Sequence, residues 1–357
     1  MKKLLIIIVL LPLLTLTNAA RAQENSINTD DIENISKYLS TITTPEPIKR
    51  VNPKYPLSAA RNGREGWAIL SFVINEEGRV EDIIVKDSSG SQDFIKESKK
   101  AAKKWRYKPA FSNGKAIQQC VNTVQLDFRM SGGGTKGVSR KFKGKYTKAV
   151  DALEAKDFKE LDKLLAKMQK NRSMHLSEYN YLQLLSADYA KVQGDKDKQL
   201  KYLSRVAKAL GRLSDEKQKL SVLYQVFNLE IELNEFKAAY ATYERLKKLP
   251  VAEPYLAQFA ETIDKVDMLI AGDKNLVIAG DIKEDFWTTA LVRKEFSLTE
   301  IKGSLHTLDV RCANKRHQYT IEKHSTWKLP TSWENCSIYV YGEPNTSFKL
   351  VEHPLSI

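Results

Sequence analysis

Arg50-Val51-Asn52-Pro53-Lys54-Tyr55-Pro56 opens the stretch whose reading decides the fold, and that stretch runs on to Met130. Two prolines flanking a tyrosine hold the backbone extended and deny it a helix. A short helix through Ser58-Ala59-Ala60 is expected next, ending near Gly63. A hairpin follows, made of residues 66–74, the turn Asn75-Glu76-Glu77-Gly78, and residues 79–85. Alternation puts Leu70, Phe72 and Ile74 on one face of its first strand and Trp67, Ile69 and Val73 on the other. Ser88-Ser89-Gly90 ends the hairpin. A helix over 94–104 comes next, with Phe94, Ile95, Ser98, Ala101, Ala102 and Trp105 as its buried side. Lys99, Lys100, Lys103 and Lys104 crowd its C-terminal turns, where cations suit the helix dipole. Trp105-Arg106-Tyr107-Lys108-Pro109-Ala110 closes the helix, and Asn113-Gly114-Lys115 makes a turn. Residues 121–130 form a last strand with Val124, Leu126 and Phe128 on one face.

Five elements in this order carry a resemblance: the Asn-Pro-x-Tyr-Pro run, Gly63-x-x-Gly66, the Asn75-x-x-Gly78-x-Val80 hairpin, Ser88-Ser89-Gly90, and the run from Trp105 to Ala110 followed by Asn113-Gly114-Lys115. Together they resemble the TonB C-terminal domain family. The resemblance implies a two-helix, three-strand antiparallel domain whose last strand is an edge. An extended peptide from an outer-membrane receptor can add to such an edge through backbone hydrogen bonds. It places the expected peptide-binding residues at Arg50, Asn52, Pro53 and Tyr55, with Pro56 beside them, and at Val121, Asn122, Thr123, Val124, Gln125 and Leu126 on the edge strand. The family commonly carries Gln where this chain has Asn52. Trp67, Trp105, Tyr107 and Pro109 are expected as core and turn residues rather than ligand contacts.

Outward from that domain the pattern changes on both sides. Lys2 and Lys3 precede an apolar run over 4–16, and Ala20-Arg21-Ala22 supplies a small-x-small cleavage site. Residues 1–22 therefore read as an export signal, either cleaved or retained as an inner-membrane anchor, which places the chain in the periplasm. Residues 23–44 are a polar lead-in with a weak helical pattern at Ile32, Ile35 and Leu39, and the first domain spans 45–130. Ser131-Gly132-Gly133-Gly134 and a basic stretch make 131–145 a linker. A 3.6-residue period then runs over 146–271, with turns at Lys156-Asp157, Gly194-Asp195 and Asn234-Glu235. This region resembles divergent tetratricopeptide-like helical repeats, which would offer a surface to a second protein partner. Residues 274–357 alternate as strands at 276–278, 286–287, 305–310, 319–321, 338–341 and 348–351, and are expected to form a small antiparallel sandwich or barrel. The expected fold class is multidomain α+β: the TonB-type domain, then helical repeats, then a small all-β domain.

Of the three cysteines, Cys312 and Cys336 lie close in one β-rich region of an exported chain and are paired as a disulfide; Cys120 reads as a small buried apolar residue. The five histidines are scattered without metal-ligand spacing, and no Ser/His/Asp signature or Gly-rich phosphate loop is present. No catalytic residue, metal or cofactor is therefore expected. A net charge of +13 reads as a solvated basic surface, nucleic acid being no natural partner outside the cytoplasm. The apolar N-terminal run contains no His, and 23–44 contains no Pro to make a rigid spacer. Two readings follow: an accessory protein of energy-coupled outer-membrane transport that binds receptor peptides, or a periplasmic scaffold that binds cell-wall or envelope components. Neither is a force transducer by itself.

Overall fold

The computed structural model describes residues 46–112, 115–130, 137–171, 174–213, 215–322 and 325–354, with only the backbone of 112, 121 and 122. The export signal, the polar lead-in, the glycine run of the linker and the Asn113-Gly114 turn lie outside these residues.

The first region contains β1 (Pro47–Lys49), α1 (Leu57–Arg61), β2 (Gly66–Ile74), β3 (Val80–Ser88), α2 (Gln92–Ala102), β4 (Arg106–Tyr107), β5 (Ala110–Ser112), β6 (Lys115–Ile117) and β7 (Gln119–Phe128). β2 is the centre of a three-stranded antiparallel sheet in the order β3-β2-β7. Two small ribbons, β1-β4 and β5-β6, join it and were not anticipated from sequence. Leu70, Phe72 and Ile74 pack under the sheet with Ala102, Trp105 and Tyr107. Phe94 of α2 stacks on Phe128, their ring centroids 4.4 Å apart. The α2 helix stops at Ala102, so Lys103 and Lys104 form the turn beyond it.

Among the described residues seven α-helices follow: α3 (Arg140–Glu154), α4 (Phe158–Gln169), α5 (Leu176–Val192), α6 (Lys196–Lys208), α7 (Glu216–Glu232), α8 (Phe236–Leu246) and α9 (Leu256–Ala271). The first six pair as three hairpins, and α9 follows them. Lys156, Gly194 and Asn234 occupy equivalent tight turns, each with positive φ (56°, 71° and 60°). Asp157 and Asp195 then cap the following helices by accepting the amides of Glu160 and Lys198. The linker is shorter than expected. Helix α3 starts at Arg140 because Ser139 caps it by accepting the Phe142 amide, and Phe142 is buried in the first helical core. The basic residues Arg140, Lys141, Lys143 and Lys145 are therefore helical.

The last region is a sandwich of two four-stranded antiparallel sheets, β13-β10-β15-β8 and β12-β11-β14-β9. Its strands are β8 (Leu276–Ile282), β9 (Phe286–Ala290), β10 (Glu295–Lys302), β11 (Leu305–Arg311), β12 (Arg316–Thr320), β13 (Thr326–Lys328), β14 (Ser337–Gly342) and β15 (Thr346–Glu352). Two of them, β10 and β13, went unread in the sequence; β12 begins three residues earlier than expected and leaves Ile321 outside. Phe296 and Trp327, which bring β10 and β13 into the core, stack on each other. Cys312 and Cys336 are bonded, and they extend the β11–β14 pairing that ends at Arg311 and Ser337.

Buried and half-buried arginines hold the three regions together. Arg293 donates to the carbonyls of Leu269, Ile270 and Gly272 at the end of α9, and to those of Lys274 and Glu352. It thereby satisfies the free carbonyls of a helix C-terminus from the sandwich side. Arg205 of α6 grips Asp87 of β3 through two bonds of 2.8 and 2.9 Å, and its guanidinium lies over the Trp67 ring. Arg311 donates to the Asp82 carbonyl at 3.1 Å, and Arg316 pairs with the Asp82 carboxylate. Every residue of β2 is buried, so both faces of the sheet are covered. The upper face, carrying Trp67 and Ile69, packs on Leu176 and Tyr179 of α5, and Ser71 Oγ accepts the Tyr339 hydroxyl of β14 at 3.0 Å.

Candidate functional site

A strand at the end of a sheet carries a row of N–H and C=O groups with no neighbour. The sheet has two such strands, and they differ. β3 is irregular: its pairing with β2 slips twice, Asp82 has φ of 46°, and Asp82 is held by arginines of the sandwich. Bulges of this kind twist an edge away from further pairing. β7 pairs with β2 without a slip from Asn122 opposite Phe72 to Phe128 opposite Gly66. Among the described residues no strand pairs with its outer side. At about 3.4 Å per residue, this continuous part offers roughly 20 Å of regular edge.

The edge-strand residues expected from sequence all lie on this strand. Val121 and Asn122 are its third and fourth residues, Thr123 is exposed, and Val124, Gln125 and Leu126 are half-buried. Val124 and Leu126 lean against the core beneath the sheet, as expected from the alternation. Gln125 Nε2 donates to Asp127 Oδ1 at 2.8 Å on the opposite face.

The proline-flanked segment is tied to the domain's own aromatic core. Arg50 is exposed, yet its Nε donates to the Tyr107 hydroxyl at 2.9 Å, and its guanidinium lies over the Trp105 and Tyr107 rings. The Val51 carbonyl accepts Trp105 Nε1 at 2.8 Å. Tyr55 donates to the Arg64 carbonyl at 2.6 Å and packs edge-on against Phe94 and Phe128. Asn52 is exposed and Pro53 half-buried. Tyr55 thus brings this segment to the Phe128 end of β7, below the sheet, while Arg50 sits further back over Trp105. Trp67, Trp105 and Tyr107 are all core residues, at 4%, 1% and 1% exposure.

Sequence reasoning missed what stands on the other side of β7. Arg212, just after α6, donates to Asp127 Oδ2 at 2.7 Å, and Arg129 donates to the same oxygen at 2.7 Å. Glu65, next to β2, accepts the amides of Met130 and Leu176, each at 3.0 Å, and so pins the end of β7 to the start of α5. A charged residue reads as surface in a sequence; only its distant partner makes it part of the site. Cys120, near the start of β7, is 1% exposed, and burial pushes its thiol up to about 12, which makes it inert. Among the described residues no group of His, Cys, Asp and Glu is arranged to hold a metal, and no helix is long and apolar enough to cross a membrane.

A short two-helix domain with a regular open edge and this leading segment defines a class of small α+β folds to which the following similarities belong. Residues 51–130 match the family described as Gram-negative bacterial TonB protein C-terminal. The chain is 38% identical over 72 residues to protein TonB of Pseudomonas aeruginosa, covering 20% of this chain and 21% of that protein. It is 31% identical over 86 residues to protein TonB of Yersinia enterocolitica, covering 24% and 32%. A solution NMR structure of the Pseudomonas aeruginosa TonB CTD is 32% identical, with 26% of this chain and 92% of that chain covered and a TM-score of 0.22. Residues 51–130 are a TonB C-terminal domain. The chain spans about a fifth to a third of the length of these relatives, and its helical region and sandwich lie outside the matched residues.

Proposed function

We propose that this is a TonB-family periplasmic protein that binds extended peptide segments of envelope transport partners, of the TonB-dependent receptor type, by adding them as a fourth strand to β7. The observation that carries the reading is the regular edge from Asn122 to Phe128, open where β3 is bulged and held at Asp82 by arginines of the sandwich. The similarity of residues 51–130 to TonB proteins supplies the class of partner. The protein is an accessory of energy-coupled outer-membrane transport rather than an enzyme. Its helical hairpins offer a second surface for a protein partner.

Strand addition is gripped mainly by backbone, and this gives the test. Synthetic peptides copying the periplasm-facing segment of an outer-membrane receptor are titrated into the full chain by calorimetry. N-methylation of alternate residues removes every N–H on one side of an extended peptide. One of the two methylated sets should abolish binding and the other should leave it within a few-fold. Equal effects of both sets, or no binding of any receptor segment, would overturn the reading. Capture of cell-wall material by a chain that ignores receptor peptides would favour a scaffold.

A further inference from the structure

Helix α6 crosses the covered face of the sheet. Arg205, on its last turns, reaches Asp87 of β3 and lies over Trp67 of β2; Arg212, seven residues on, reaches Asp127 of β7. The chain therefore passes from one edge of the sheet to the other and emerges over the open edge. On the opposite face, Tyr55 stands against Phe128 at the same end of β7. A strand added to β7 would lie between these two flanks, one from the TonB-type domain and one from the helical region.

The second flank has a sign. Arg129 and Arg212 both donate to Asp127 Oδ2, and the other Asp127 oxygen is taken by Gln125. Each arginine uses one nitrogen there, and among the described residues no other acceptor engages either guanidinium. Glu65 contributes a negative charge nearby, but it is 6% exposed and both its oxygens accept backbone amides. What faces outward beside the edge is therefore guanidinium N–H, held in position by a carboxylate and partly desolvated: the Arg212 side chain is 16% exposed and that of Arg129 45%. Such donors suit a carboxylate in bidentate geometry.

We propose that the helical region forms the second wall of the β7 groove, and that Arg212 with Arg129 selects an extended peptide bearing an Asp or Glu side chain beside Asp127. This rests on the strand-addition reading above. It adds a charge preference that the TonB-type domain alone would lack, since Arg212 belongs to the helical region.

The experiment uses the full chain and two synthetic receptor-segment peptides that differ only by Gln or Glu at the position nearest Asp127, measured by fluorescence anisotropy at low and at 0.5 M salt. The Glu peptide should bind about tenfold tighter at low salt, as expected for one partly buried charge pair, and the gap should shrink at high salt. In Arg212→Gln the two affinities should converge to within twofold. Arg212→Lys, which keeps the charge but loses the fork, should restore part of the preference and guards against a variant that has merely loosened the groove. Equal binding of both peptides to the unaltered chain would overturn the charge preference while leaving strand addition standing. A preference that persists in Arg212→Gln would place its source elsewhere and overturn the assignment. If neither peptide binds, strand addition fails and this inference falls with it.

Discussion

Two buried carboxyls couple stability to pH in the range between the ordinary carboxyl value and about 7. Glu352 is fully buried at the end of the sandwich, where one oxygen accepts the amides of Val292 and Arg293. Glu230 is 7% exposed inside the helical region and is bonded to Thr242. Burial pushes both up to about 7. Between the ordinary carboxyl value near 4.5 and 7, the folded protein therefore holds protons that the unfolded chain releases. Stability must fall as pH rises through that window and level off above it. Burial raises Glu235, Asp188 and Asp267 in the same direction. Urea titrations at pH 5 and pH 7.5 should show a loss on the order of 2–3 kcal/mol for each fully shifted group. The double variant Glu230→Gln, Glu352→Gln should flatten that dependence, because Gln keeps an acceptor without the charge. A midpoint in the unaltered chain that rises over this range would refute the assignment.

Among the elements, the hairpin of β2 and β3 shows where a single position decides. Gly78 has φ of +75°, and its carbonyl accepts the Tyr107 amide at 2.8 Å, so the turn lies against β4. A Cβ there would stand 2.0 Å from the Tyr107 carbonyl oxygen. Gly78→Ala should therefore lower stability by about 2–4 kcal/mol, from both the left-handed backbone and the clash, seen as a lower denaturant midpoint with an unchanged slope. An alanine variant as stable as the parent would show that the turn is not pressed on β4. This hairpin, its two faces and the three helical turns were legible, because alternation, the 3.6 period and turn residues act locally; the edge position of β7 was implied by the family resemblance alone. The cover over Trp67 and Ile69 was not, since alternation reveals an apolar face without saying what lies on it. Strands β10 and β13 were missed for a related reason: Phe296 and Trp327 become core residues only through their partners across the sandwich. The start of α3 was hidden by its charge, which reads as linker until Ser139 is seen to cap it.

At the scale of the whole molecule, the TonB-type domain is one layer of a larger body. Its sheet is covered below by its own α2 and above by the helical region and the sandwich, with Arg205, Arg212 and Arg311 crossing the boundaries. The sequence could not show this, because each of these arginines and the residue it reaches across the boundary lie 85 or more residues apart. Arg205→Ala should cost about 1–3 kcal/mol by leaving Asp87 without its half-buried partner. It should also speed proteolysis at the boundary between the two regions; unchanged stability and cleavage would mean that the boundary is held elsewhere. β7 is the sheet's regular edge, with no strand on its outer side among the described residues, and the proposed strand addition is directed to it. Hydrogen–deuterium exchange of the full chain, with and without a receptor-segment peptide, tests that claim most directly. Strand addition predicts slowed exchange concentrated in residues 119–128, with β3 unchanged. Binding that leaves 119–128 unprotected, or that protects β3 instead, would contradict it.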